Sequence, residues 1–352
     1  MSIRRKSPTM KDVAEIAGVS LQTVSAVVNE KQGITLATRK RVLQAVETLR
    51  YRPYSIARSL RTRRTRTIAL VISDIANPSF ATMASAAERY TDSLGYSLVL
   101  YNTHDDVDRE ASCIAVASER WVDGVLLVAA QDRVEGIEAL DLAGIPSVAI
   151  DRIPQSYTGP SVTLDNVAAG CLAAEHLLDL GHTKLAHISG PLSLRLARER
   201  QEGFRAAVER RGLIPCLFVE GSWECDDGYR AMQAILAGAT RPTAIFAAND
   251  RMAIGATRAM VETGLRVPED VSVVGLDNIE ISAFQNPPLT TVQQSFEDLA
   301  TLALQLLFDM MAERELTRPQ RVLQPRLIVR ESTRRIGQPV GTQPERVVEL
   351  IT

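Results

Sequence analysis

The sequence predicts a small all-helical head followed by a two-lobed α/β body with parallel sheets. Three observations carry this. Residues 1–66 hold only short helical patterns and a large excess of positive charge. From Thr67 onward, short apolar runs alternate with helical periodicity. That alternation restarts once, near residue 166, as a second lobe would require.

In the head, Met10–Asn29 reads MKDVAEIAGVSLQTVSAVVN. Val13, Ile16 and Ala17 mark one side of a first helix, Gly18 and Val19 interrupt it, and Ser20 caps a second helix carrying Val24, Val27 and Val28. Helices of about 8 residues are unstable alone, so a third is needed. Leu36–Leu49 supplies it, with Val42, Leu43, Val46 and Leu49 inward. The outer side of the second helix offers Leu21, Gln22, Ser25 and Ala26. Two short helices on a tight turn, the second with a polar outer face, read as a helix-turn-helix entering the DNA major groove. An ordinary helical hairpin would share the spacing but not the charge. Residues 1–66 hold 15 Lys/Arg and 4 Asp/Glu, against 25 and 38 in the other 286 residues. A basic head on an acidic body is a localised footprint for a polyanion.

Residues 51–66 form a link. Pro53 restricts the backbone before it, and Ser55 caps a short segment through Ile56, Ala57 and Leu60 that is marginal without a partner copy or DNA. Strands are then expected at 67–73, 97–102, 124–129, 147–151 and 161–165, with helices at 79–94, 108–120 and 134–142 between the first four. The second unit runs through helix 166–180, strand 184–190, helix 196–211, a strand near 216–219, helix 226–237, strand 244–249, helix 251–263 and strand 271–277. A helix at 295–312 and strands near 322–324 and 326–330 cross back between the lobes. The expected division is a head at 1–50, a link at 51–66, a body at 67–336 and a tail at 337–352. Its first lobe spans 67–165 plus 293–324, and its second 166–292 plus 325–336.

The composition also excludes classes. No apolar run reaches the ~18 residues of a membrane span, and no apolar segment follows the N-terminal arginines, so neither membrane insertion nor secretion is expected and the cytoplasm is. The four cysteines and four histidines lack metal-ligand or redox spacing, and nothing implies a cofactor. Ligands of open parallel sheets bind beyond the C-terminal strand ends, which here carry Ser73, Asp74, Asn102, Asp151, Arg152, Asn249, Asp250, Asp277 and Asn278. Phe80 and Trp223 add flat apolar faces. No Ser-His-acid or His-carboxylate pairing accompanies them, which weakens an enzyme reading.

The segments MKDVAEIAGVSLQTVSAVVN, TRKRVLQAVETLRYRP, IARSLRTRRTRTIALVISDIANPSF, LGHTKLAHISGP, RPTAIFAANDRMAIGA and LRVPEDVSVVGLDN together resemble the lactose- and galactose-repressor family of bacterial transcription regulators, from about Met10 to Glu331. The resemblance implies a periplasmic-binding-protein-like core receiving a small effector, read here as carbohydrate-like (a sugar or a phosphorylated or acidic derivative), and homodimers (tetramers in some members) on palindromic double-stranded operator DNA. It implies that Leu21, Gln22 and Ala26 face bases and that Leu60 wedges into the minor groove from a hinge helix. Thr23, Ser25, Asn29, Arg39, Tyr51 and Arg61 complete the expected DNA contacts. Phe80, Arg152, Arg200, Trp223, Asn249 and Asp277 are the expected effector residues. Ala26 replaces the Arg or His of many relatives, Tyr54 the usual hinge-starting Asn or Ser, and Arg63 a frequent Gly. Leu194 and Leu196 stand where the purine-binding relative has polar ligand contacts. The dimer contact is expected to involve helix 79–94 through Phe80, Met83 and Ala87. The competing readings are a sugar-binding protein or enzyme on the same body, which leaves the basic head without a purpose, and a weakly specific architectural DNA-binding protein, which leaves the polar cleft without one.

Overall fold

The computed structural model describes residues 8–28, 32–51, 64–214 and 217–337, and the chain divides into two compact units after Arg66. The expected hinge helix with Leu60 and Arg61 lies outside the described residues, as does Asn29.

The head is three helices: α1 (Met10–Ala17), α2 (Leu21–Val28) and α3 (Leu36–Leu49). Thr9 and Asp12 cap α1 reciprocally. The Thr9 amide donates to Asp12 Oδ2 at 2.7 Å, and the Asp12 amide to Thr9 Oγ1 at 3.4 Å. Gly18, at φ +60°, ends α1 in the left-handed conformation that only glycine adopts cheaply, which lets α2 start three residues later. Ser20 Oγ accepts from the Thr23 amide at 3.1 Å and caps α2. Val13, Ala14, Ala17, Val24, Val27, Val42 and Ala45 close the core. Two expected core residues lie outside it: Ile16 is 55 % exposed and Leu43 52 %. At about 100° per residue Ile16 sits about 60° and Leu43 about 100° off its helix's buried arc. Ala14 and Ala45, small enough for close helix approach, take those places.

The first lobe's sheet runs in the order β11-β5-β4-β3-β1-β2 and is wholly parallel. Its strands are β1 (Thr67–Ile72), β2 (Ser97–Asn102), β3 (Gly124–Leu127), β4 (Ser147–Ile150), β5 (Ser161–Leu164) and β11 (Gln320–Leu323). Helices α4 (Pro78–Ser93) and α11 (Phe296–Met311) cover one face, and α5 (Val107–Val116) and α6 (Glu135–Leu142) the other. Central strands buried on both faces explain the unbroken apolar runs. The helix expected over 108–120 leaves α geometry at Ala117 and finishes as a π-helical turn, Ala117–Trp121.

The second lobe repeats the plan. Its sheet order is β12-β10-β9-β8-β6-β7, with β12 (Arg326–Ile328) antiparallel to β10 (Thr290–Gln293). The remaining strands are β6 (Leu185–Ser189), β7 (Leu217–Glu220), β8 (Ala244–Ala247) and β9 (Ser272–Asp277). Helices α7 (Asn166–Asp179) and α8 (Arg195–Arg210) pack on one face, α9 (Cys225–Ala237) and α10 (Asp250–Glu262) on the other. The chain passes between the lobes three times, after β5, after β10 and after β11.

Helix α4 corrects one expectation. Phe80, Met83 and Ala87 are 3 %, 0 % and 0 % exposed and belong to the lobe's core. The apolar stripe proposed as a dimer contact is the face that meets α11, where Phe80 and Phe296 pack edge to face at 6.1 Å.

Candidate functional site

On the head, Leu21 and Gln22 project from the first turn of α2 and are exposed, Leu21 by 51 %. Thr23, Ser25, Ala26 and Arg39 are half-buried. Tyr51, expected to reach DNA, is instead a core residue, 6 % exposed beside Val13 and Val42. Its ring is the largest apolar group available to seal three short helices.

In the body, the C-terminal ends of both sheets converge on the gap between the lobes. Asp277 ends β9 with φ +114°, and Asn278 follows at φ +60°. This turn sends the strand's last carboxylate into the gap, where Ser79 Oγ of the opposite lobe donates to Asp277 Oδ2 at 3.3 Å. Burial pushes the Asp277 carboxyl well above the usual range; Arg200 offsets part of this, and Asp250 and Asp151 add to it. Arg200, in α8, is 3 % exposed, and each of its three side-chain nitrogens donates once. Its guanidinium donates to Asn166 Oδ1 at 2.9 Å, to the Ala248 carbonyl at 2.7 Å and to Gln294 Oε1 at 2.9 Å. Its Cζ stands 5.6 Å from the Trp223 ring centroid. Arg200 and Asp277 form no direct ion pair. They face the same gap, each fixed by other partners.

Trp223 is 7 % exposed, held at φ +80°, and its Nε1 has no hydrogen-bond partner. Asn249 fixes the backbone behind it: Nδ2 donates to the Trp223 carbonyl at 2.9 Å, while Oδ1 accepts the Met252 amide at 2.8 Å. With both ends of its amide in use, Asn249 positions the tryptophan and caps α10. Asp250, at the first position of the same helix, accepts from the Ile279 amide at 2.9 Å and from Thr291 Oγ1 at 2.5 Å. Burial raises its carboxyl to about 7. Asp74 accepts from the Ala76 amide at 3.0 Å, and Asn77 is the residue that caps α4.

The first lobe contributes Phe80 and Arg152. The Arg152 Cζ lies 5.6 Å from the Phe80 centroid, and its guanidinium pairs with Asp105. Leu194 and Leu196, 5 % and 6 % exposed, form an apolar wall with Ile153. Both rims of the cleft are bridged. Arg198 of α8 donates to Asp132 Oδ2 at 2.6 Å and to Gln155 Oε1 at 3.1 Å in the opposite lobe. Arg251, chelated by Glu224, lies 3.9 Å from Asp74 across the gap.

Sequence reasoning missed the charged rim residues Arg198, Asp132, Arg251 and Glu224 and three neutral residues inside the cleft. Ser79, Asn166 and Gln294 complete the cleft's polar network, and Gln294 Nε2 also donates to Asp151 Oδ1 at 2.5 Å. The only available signal was position: Ser79 opens the helix after β1, and Gln294 follows a strand end where the chain changes lobe. Among the described residues no helix is long and apolar enough to cross a membrane.

Comparison with known proteins bears on both units. Residues 9–54 match the model of the bacterial regulatory proteins, lacI family, and residues 174–333 match a periplasmic binding protein-like domain. The chain is 38 % identical over 329 residues to the HTH-type transcriptional repressor PurR of Pasteurella multocida, covering 93 % of this chain and 98 % of that one. It is 37 % identical over 327 residues to the ribose operon repressor of Escherichia coli strain K12, covering 92 % and 99 %. Among solved structures, the Lac repressor dimer bound to operator and the anti-inducer ONPF superposes with a TM-score of 0.87 at 31 % identity, over 94 % of this chain and all of that one. With that identity along nearly the whole of both chains, and with relatives that are regulators and not enzymes, the protein belongs to the lacI family of bacterial regulatory proteins: a DNA-binding transcriptional repressor carrying a metabolite-binding core.

Proposed function

We propose that the protein is a homodimeric, operator-binding repressor of the bacterial cytoplasm whose DNA affinity is set by a neutral, polyhydroxylated small molecule of sugar type. The observation that carries the effector class is Asp277. A serine hydroxyl from the opposite lobe already rests on this carboxylate, in the place a ligand hydroxyl would take. An acidic or phosphorylated effector is disfavoured, because Asp151, Asp250 and Asp277 lie close together and each nitrogen of Arg200 already donates to the protein. Leu194 and Leu196 likewise disfavour a purine. In this reading Asp277 accepts ligand hydroxyls, Trp223 and Phe80 cover the ring's faces, and Arg200, Arg152 and Asn249 position them.

On DNA, Gln22 pairs bidentately with an adenine, Leu21 meets a thymine methyl, and Ala26 offers apolar contact only. Thr23, Ser25 and Arg39 hold the phosphates. Asn29, Leu60 and Arg61 keep the DNA roles that the resemblance implies. A ligand that touches both lobes favours one closure over another, and that difference is what reaches the DNA. The test has two parts. Site selection from random DNA should return an imperfect palindrome, with adenine preference at one base pair relaxed in Gln22→Ala. Thermal-shift screening of the full chain should find stabilisation by an uncharged pentose or hexose, lost in Asp277→Asn. Stabilisation only by phosphorylated sugars overturns the effector class, and selection of no sequence overturns the operator reading.

A further inference from the structure

The strand end that carries Asp277 is gripped by two charged side chains. Asp277 and Asn278 follow one another at φ +114° and +60°, a region that residues with a β-carbon rarely enter and keep only where neighbours impose it. Among the described residues, the one side chain hydrogen-bonded to the Asp277 carboxylate is Ser79, of the opposite lobe. Within the second lobe, the direction of that carboxylate is therefore set by the turn beneath it. Arg330, which follows β12, donates to Asn278 Oδ1 at 2.6 Å, to the Leu289 carbonyl at 2.7 Å and to Ser282 Oγ at 3.2 Å. Asp250, fully buried at the start of α10, accepts the Ile279 amide on Oδ2 at 2.9 Å and the Thr291 hydroxyl on Oδ1 at 2.5 Å. Its carboxylate lies against β9, where a β-carbon on Gly275 would come within 2.2 Å of Oδ1. Glycine at 275 thus clears the way from α10 to the turn.

We propose that Asp250 and Arg330 are positioning residues of the effector site, given the reading of Asp277 as the acceptor of ligand hydroxyls. They hold residues 277–279 in the conformation that presents the Asp277 carboxylate to the cleft. Every hydrogen bond named for the pair stays within the second lobe, and each anchor ties the turn to a different part of it. Arg330 joins Asn278 to the segment before β10, and Asp250 joins Ile279 to β10 and α10. Losing either anchor frees the turn to relax toward the ordinary extended region. Rotation about the Asp277 N–Cα bond then carries the carboxylate off its line into the cleft, and a misaligned acceptor makes a weak hydrogen bond. Neither anchor meets the ligand, so both act on affinity through the turn alone.

Asn278→Gly separates positioning from stability. Glycine takes φ +60° without strain, so the fold is kept while the Arg330 anchor is lost. The expected result is an unchanged urea midpoint with about tenfold weaker binding in calorimetric titration of the full chain with D-ribose and D-galactose, an uncharged pentose and hexose. Arg330→Met should weaken binding as much, and Arg330→Lys, which still reaches Asn278 Oδ1, by less. Asp250→Ala should weaken it too. Asp250→Asn should restore it, because an amide can accept from Ile279 and donate to Thr291. Amide hydrogen exchange over residues 277–282 should quicken in Asn278→Gly, Arg330→Met and Asp250→Ala and stay unchanged in β6.

Unchanged exchange over 277–282 in both Asn278→Gly and Arg330→Met overturns the proposal, whatever the sugars do. So does quickened exchange with undiminished sugar affinity. An affinity loss confined to variants whose urea midpoint falls overturns it as well, because the pair would then serve stability alone. If neither sugar binds the unaltered protein, the cleft reading is what fails, and the exchange result alone decides whether the pair holds the turn. Should Asp250→Ala fail to fold, the Arg330 and Asn278 variants decide.

Discussion

The two lobes share a topology but hold their helices together differently. In the second lobe, α7 meets α8 and α9 meets α10 backbone to backbone. A Cβ on Gly170 would lie 2.0 Å from the Arg200 carbonyl, and one on Gly255 would lie 1.8 Å from the Cys225 carbonyl. In the first lobe, α4 meets α11 through large side chains, Phe80 on Phe296 and Tyr90 on Phe308. Contacts at backbone distance cannot slide, whereas interleaved aromatic side chains can repack. The difference assigns roles: the second lobe is a fixed frame holding Arg200, Trp223 and Asp277, and the first is the body that adjusts to the ligand.

The strongest way to break this comparison is to separate the glycine pairs. Gly170→Ala and Gly255→Ala should each destabilise the protein by about 3 kcal/mol in urea unfolding, and Gly170→Ala should also displace Arg200 and weaken effector binding. Phe296→Leu, at the softer contact, should cost about 1–2 kcal/mol. Equal losses would remove the distinction between frame and adjustable body.

Ligand binding sharpens it next. Asp277→Asn should lose about 2–3 kcal/mol of effector affinity while keeping effector-free operator binding. Phe80→Leu should lose less affinity but uncouple effector from operator. Calorimetry and DNA-binding titrations on both variants separate affinity from coupling.

The pH response should carry two contributions of opposite sign, both from the second lobe. His187 packs against both Phe204 and Phe246 in the second lobe, and burial lowers its folded value to about 3 against 6.5 when free. Its contribution to stability is present above pH 6.5 and is lost as pH falls toward 3. Asp250 has the opposite sign. Raised to about 7 from 3.8, its contribution is present below pH 3.8 and is lost as pH climbs through about 7. His187→Phe should therefore flatten the acid limb of a stability–pH profile, and Asp250→Asn the rise in instability toward neutrality. An unchanged acid limb in His187→Phe would place the acid-labile group elsewhere.

The smallest expected effect lies at the rims. Arg251→Ala should weaken effector binding about threefold and reduce its salt dependence, because partly exposed ion pairs contribute little. A loss as large as that of Asp277→Asn would make the rim part of the ligand site.

Much of this was legible in the sequence because periodicity records burial. The strands buried on both faces announced themselves, and so did Gly18 and Ser20 at the tight turn. The four-residue strand β10 escaped, since it follows Pro287–Pro288 and is too short to show a period. The stripe on α4 was read correctly as apolar and wrongly as an interface, because sequence shows that a face is covered but not by what. Charged and aromatic cleft residues stood out by type. Ser79, Asn166 and Gln294 did not, because neutral hydrogen-bonding residues occur everywhere and gain meaning only from their partners.

The three crossings between lobes also fix an order of events during synthesis. Strands β1–β5 have all been translated by residue 164, but α11, which covers β3, β4 and β5, begins only at Phe296. For the time taken to translate the entire second lobe, Leu126, Val148 and Ile150 lack the helix that will bury them. The second lobe can close its sheet before the first is covered, apart from β12 at its edge. The nascent chain therefore finishes its later half sooner than its earlier one, and the exposed sheet is the segment that a ribosome-bound chaperone would engage.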